Sequence, residues 1–192
     1  MISSPKAVRE PITRLARVAL ALEFAGTVRH DGHGGLVDDL LTPEGFAAWA
    51  GVEPDEGLWR RAVELRWAVR TLYARATGTG ERLDTPYLMA FDRALALVNE
   101  TAARVPRAPR LEWGDPPRVD YRDTADPGDR LLAGLATAVI EFLGGPEGAR
   151  LRACPAPRCV RYFVKDHPRQ EWCKPSCGNR ARVSRHYHRA RD

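Results

Sequence analysis

The sequence predicts a mainly α protein: an N-terminal helical bundle with a short β excursion, followed by a small C-terminal four-cysteine finger with a basic helix. Three observations carry this. Apolar residues recur at helical spacing in four segments before residue 145. All four cysteines of the 192-residue chain fall between positions 154 and 177. Charge also separates along the chain. Residues 1–149 hold eighteen Lys and Arg against twenty-two Asp and Glu, net −4, whereas residues 150–192 hold twelve against three, net +9. The domain boundary is therefore expected at 149/150.

The first helix is expected from about Thr13 to about Thr27, with Leu15, Val18, Ala19 and Leu22 on one face. The glycine-rich stretch VRHDGHGG after it reads as a loop, with His30 and His33 as polar surface. Thr42-Pro43 pairs an N-cap with a first-turn proline and opens a short helix through Phe46 and Trp49 that stops near Gly51. Asp55 caps a long helix to about Thr77. Its stripe is Leu58, Ala62, Leu65, Val69, Leu72 and Ala76, and Gly78 ends it. Thr85-Pro86 is expected to open a fourth helix with Leu88, Phe91, Leu95, Val98 and Ala102 inward. Leu111 and Trp113, then Val119 and Tyr121, alternate around Gly114–Pro117 and read as a short hairpin. Asp126-Pro127 opens the last bundle helix, with Leu132, Leu135, Val139 and Phe142 inward and Gly144-Gly145 as the stop. Trp49, Trp59, Trp67 and Trp113 read as core; the rival reading is a ligand pocket between helices.

An apolar fraction of 44% supports a real core, and no run approaches the length of about eighteen apolar residues that spans a bilayer. The N-terminal apolar stretch is broken by Glu23 and lacks a small-residue cleavage site, so it reads as helix and not as a secretory signal. The expected compartment is the cytoplasm, where thiols stay reduced.

The cysteines are spaced Cys154-x4-Cys159-x13-Cys173-x3-Cys177. Two close pairs about a dozen residues apart suit a tetrahedral metal site, and four thiolates make a closed, structural shell for Zn²⁺. An iron–sulfur cluster uses the same ligand set, and two disulfides are the rival in an oxidising compartment. His167 is a spare ligand candidate. A segment of about forty residues buries too little surface to fold alone, and metal binding supplies the deficit.

From about Pro175 the chain reads as a basic helix. Arg182, Arg185, His186 and Arg189 share an arc of roughly 100°, while Val183, Tyr187 and Ala190 form an apolar strip expected to pack inward. Arginine forks suit phosphates and guanine edges. The rival is a solvated basic face, or one paired with the acidic bundle.

At Cys177-Gly178-Asn179-Arg180 the chain spells CGNR. With Cys154, Cys159, Cys173, Trp172 and the arginine-rich end, this resembles the CGNR-type zinc finger over about Leu151 to Arg191. The resemblance implies a zinc-binding, DNA-binding module. Gly178 and Asn179 would shape the turn into the helix, and Arg180 would brace it. LEFAGTV at Leu22–Val28 and VDDLLTPEGFAAWA at Val37–Ala50 resemble the ABATE domain of bacterial "putative stress-induced transcription regulators". The chain departs at Gly26, where that family usually carries asparagine in an F-x-N-T motif.

The expected function is a DNA-binding transcription regulator, with double-stranded DNA as partner and a small-molecule effector or a second copy of the chain as further partners. The alternatives are a zinc-finger adaptor for protein partners, or a helical small-molecule sensor without direct DNA contact. No Ser/His/Asp or Cys/His arrangement and no phosphate-cradling glycine loop calls for catalysis, so no enzyme is expected.

Overall fold

A computed structural model describes residues 13–106 and 108–189, apart from the side chains of Arg122, His188 and Arg189. The helices begin where side-chain acceptors meet their orphan N–H groups. In α1 (Arg14–Gly26) the Thr13 hydroxyl accepts from Ala16 N, and in α2 (Pro43–Ala50) Thr42 accepts from Gly45 N. Asp55 accepts from Leu58 N at the start of α3 (Glu56–Thr77), and Asp126 accepts from Gly128 and Asp129 N at the start of α5 (Pro127–Gly144). Gly51 and Gly78 end α2 and α3 at φ 69° and 59°, a left-handed conformation that glycine adopts without steric cost.

Helix α3 is the axis of the bundle and packs against α4 (Phe91–Ala103), α5, α1 and α2. Its predicted stripe is buried from Leu58 to Leu72, and Ala76 alone faces solvent. Tyr73 lies at the centre. Its ring meets Phe142 and Tyr162 edge-on at 5.7 and 5.4 Å, and its hydroxyl donates to Ala21 O at 3.2 Å. Burial raises the Tyr73 pKa far above the ordinary phenol range, so the group stays a donor.

Three expectations for the bundle are corrected. In α1 the buried residues are Ala21, Phe24 and Ala25, while Leu15 is 74% exposed and Ala19 is also exposed. The small Ala21 and Ala25 let α1 approach its neighbours closely, and Phe24 fills the gap, so shape outweighed apolar count. Thr85-Pro86 opens only a single 3₁₀ turn, Thr85–Tyr87, and α4 begins at Phe91. Here the Thr85 hydroxyl accepts backward from Arg82 N, and Met89 N donates to Thr71 Oγ1 on α3, which holds the segment extended. As a result Ala94, Val98 and Thr101 face inward, and Phe91 and Leu95 are half exposed. Third, the glycine-rich stretch is not an open loop. Val28–His30 (β1) pairs antiparallel with Leu36–Asp38 (β2), Arg29 opposite Val37. Asp31 Oδ1 closes the turn by accepting from the N–H groups of His33, Gly34 and Gly35, which lowers the Asp31 pKa.

The hairpin between α4 and α5 forms as expected, from Ala108–Glu112 (β3) and Arg118–Arg122 (β4), Leu111 opposite Val119. Trp113 at its end is 87% exposed. Trp49 packs on Phe24 and Phe46, Trp59 donates to Leu40 O, and Trp67 stacks on Tyr87. The four tryptophans therefore share no pocket.

The C-terminal segment is built onto this core. Leu151–Ala153 (β5) pairs antiparallel with Tyr162–Val164 (β6), and Leu151 and Tyr162 belong to the same buried cluster as Phe24 and Phe142. The last helix is α6 (Pro175–Arg189). Among the described residues no helix is long and apolar enough to cross a membrane.

Candidate metal centre and nucleic-acid face

The β5–β6 hairpin delivers the first two cysteines. Cys154 N donates to Arg161 O at 2.9 Å, and Cys159 N donates to Ala156 O at 3.0 Å across the tight loop between them. Arg158 takes φ 63° to turn the chain back into Cys159, a left-handed residue without glycine's freedom. The second pair comes from the approach to α6. Cys173 N donates to Cys154 Sγ at 3.5 Å, and Cys177 sits in the first turns of α6, fully buried.

The four sulfurs lie within 4.8 Å of one another. Cys159–Cys173, Cys173–Cys177 and Cys177–Cys159 are separated by 3.8, 3.5 and 3.8 Å. Four thiolates at the usual Zn–S length of about 2.3 Å form a tetrahedron with an edge of about 3.8 Å. The donor set thus fits one ion. All four cysteines are free of disulfide bonds, and a multi-iron cluster, with its inorganic core between the ligands, would hold the sulfurs further apart. His167 is exposed and contributes no ligand atom to this group. Contacts with Cys159 and Cys173 lower the Cys154 pKa, while those of Cys159 and Cys173 are raised, chiefly by Cys154. A bound dication removes this competition for protons by favouring all four thiolates. Around them Ala156, Phe163 and Trp172 form a small apolar shell.

Two of the CGNR residues, Gly178 and Asn179, are placed differently from the sequence expectation. Gly178 and Asn179 lie inside α6, not in a turn before it. Gly178 is needed for packing: a Cβ there would stand 2.9 Å from Trp172 Cδ1. Asn179 Oδ1 accepts from Arg182 Nη2 on the outer surface. Arg180 turns inward as a brace. Its Nη2 donates to Cys177 Sγ at 3.4 Å, and its Nη1 lies 2.5 Å from His30 Nε2.

His30 is therefore half-buried at the junction, not the polar surface group expected from its glycine-rich surroundings. Burial, then Arg180, lowers its pKa. The N–H of Gly32 faces the ring's other nitrogen at 3.0 Å, so donors stand before both nitrogens and disfavour the imidazolium. Sequence reasoning missed this contact because it joins residues 150 positions apart.

A second tie was also missed. Arg70 on α3 is fully buried. It donates through Nη2 to Val160 O of the finger at 2.7 Å, through Nη1 to Ala25 O, and through Nε to Asp84 Oδ2 at 3.2 Å. Burial lowers its pKa, opposed by the Asp84 carboxylate. Arg66, one turn earlier and equally buried, pairs with Asp38 at the end of β2.

On α6, Arg182, Arg185 and His186 are exposed together, as expected. The Arg189 side chain and Ala190 lie outside the described residues. The expected inward packing of Val183 and Tyr187 is overturned, because they are 69% and 59% exposed. Cys177 must face the metal, and this fixes the rotation of the helix. The residue one turn on, Ala181, is buried as well, and Ser184 is half-buried on the same side.

Two family models match the chain. One is named ABATE, described as "putative stress-induced transcription regulator", and covers residues 18–146. The other, the CGNR zinc finger, covers residues 150–190. The chain belongs to the ABATE family. Comparison with curated proteins gives no match. The ABATE bundle and the CGNR finger follow one another in chain order, and the finger's four cysteines form a structural zinc site.

Proposed function

We propose that this ABATE protein is a transcription regulator that docks α6 on double-stranded DNA, with zinc holding the helix in place and no catalytic role. The observation that carries this reading is the orientation of α6. Its ligand and small residues face the metal, so Arg182, Arg185 and His186 are displayed together at the surface. A helix of fifteen residues is about 22 Å long, enough to lie in a major groove. The exposed Val183 and Tyr187 flank the cationic face, where apolar groups can meet thymine methyls and sugars. The net charge of +9 after residue 149 supplies the electrostatic attraction.

Binding of the zinc-loaded chain to duplex DNA across a salt series tests this. About five phosphate contacts give a log–log slope near −4.5. No binding to any duplex at low salt would reject the reading. Nuclease-resistant capture of one acidic protein in its place would favour the adaptor alternative.

A further inference from the structure

The β3–β4 hairpin stands off the bundle. Its strands pair with each other and with no third strand, and every residue of β3 is exposed. Among the described residues no helix packs broadly against either strand. A two-stranded hairpin alone in water is marginal, and an apolar face on it needs a cover.

The register sorts the side chains by face. Leu111 stands opposite Val119 and Pro109 opposite Tyr121, whereas Arg110 stands opposite Asp120 and Glu112 opposite Arg118. Successive residues of a strand point to opposite sides. One face therefore carries Pro109, Leu111, Val119 and Tyr121, with Trp113 at the next step of the alternation. The other carries the charged residues, opposite signs facing each other across the strands. Leu111, Trp113, Val119 and Tyr121 are 62, 87, 52 and 41% exposed. At about 150–250 Å² for a large side chain, these four expose about 500 Å². A contiguous apolar patch of that size marks an interaction surface.

We propose that this face is an interface between two copies of the chain, packed hairpin on hairpin across a two-fold axis. Two such faces bury about 1,000 Å² before any rim residue is counted, which reaches the lower bound of a specific interface. Charge selects the occupant. Residues 108–122 hold three arginines against Glu112, Asp115 and Asp120, so the hairpin has no net charge. Nucleic acid and anionic membranes are drawn by a cationic excess, which this hairpin lacks. A two-fold axis requires a patch that complements itself, and an apolar face meets its copy without like-charge repulsion. Trp113, the most exposed of the four, is the anchor. The face contains no residue of α6, so the proposal stands apart from the DNA reading. On that reading, a dimer carries two copies of α6 and suits a two-fold symmetric site.

Sedimentation velocity of the zinc-loaded full chain, from nanomolar to tens of micromolar and without DNA, tests the proposal. Amide hydrogen exchange at both ends of the series locates the contact. A monomer–dimer equilibrium is expected, with protection gained at high concentration in residues 108–122. Leu111→Ser and Trp113→Ser should each weaken dimerisation by at least about tenfold. Both positions lie outside the bundle core, so circular dichroism and zinc content should match wild type. Arg182→Gln/Arg185→Gln should dimerise as wild type does. A chain that stays monomeric at every concentration would overturn the proposal and leave the face to a different protein. Dimerisation unaffected by either hairpin variant, or lost in the α6 variant, would overturn it by placing the interface elsewhere. Protection of the hairpin by duplex DNA in a monomeric chain would also overturn it.

Discussion

Arginines on α3 and on α6 do opposite work. Arg66 and Arg70 lie on the longest helix with none of their surface exposed, each against a carboxylate and a backbone carbonyl or hydroxyl. Arg182 and Arg185 lie on the last helix facing water. The first pair fastens the α1 end, the β1–β2 hairpin and the finger to one helix. The second pair holds nothing in the core. A count of charge along the chain treats both alike. What separates them is whether a buried acceptor stands within reach and whether the helix is locked in rotation by something else, which for α6 is Cys177.

The largest effect should come from removing the lock. Cys173→Ser breaks the thiolate shell and should abolish stoichiometric zinc binding, forfeiting most of the about 10–16 kcal/mol typical of a structural zinc peptide. Amide hydrogen exchange should rise through α6 and the 154–159 loop. Circular dichroism should retain most of the bundle's helix, since Leu151 anchors β5 independently of the metal. Collapse of the whole fold would show that the finger supports the bundle more than the reverse.

The next effect should come from α3. Arg70→Met removes the donor to Val160 O and leaves the buried Asp84 with Arg82, 3.5 Å away, as its remaining ion-pair partner among the described residues. Breaking a buried pair in this way costs about 3–5 kcal/mol. Chemical denaturation should report a loss of that order, with zinc content unchanged in the folded fraction. A loss under about 1 kcal/mol would mean that Arg82 replaces Arg70 at Asp84.

The same contrast explains what could be read in advance. Helices α2, α3 and α5 were legible because local signals and tertiary packing agree: a capping Thr or Asp, a first-turn proline or acidic residue, an unbroken stripe, and glycine near or at the end. The cysteine spacing was legible because four thiolates around one ion leave little freedom. The inward faces of α1 and α4 were not. At α1, small residues that allow close approach are worth more than larger apolar ones, and at α4 the Thr85 hydroxyl caps backward. The β1–β2 turn was hidden because glycine content signals flexibility, while Asp31 Oδ1 supplies the single acceptor that fixes it. The rotation of α6 was misjudged by weighing Val183 and Tyr187 as apolar without first pointing Cys177 at the metal. His30–Arg180 and Arg70–Val160 have no sequence signal, because each depends on the finger seating against the bundle.

The smallest effect on stability should accompany the largest effect on binding, and there the account is most exposed. In the Arg182→Gln/Arg185→Gln double variant, Tm should stay close to wild type and zinc should remain at one per chain. Duplex DNA affinity should fall, with the salt slope shallower by about 0.9 for each phosphate contact removed. Unchanged affinity and slope, with the zinc site intact, would contradict the claim that α6 is the DNA-binding face.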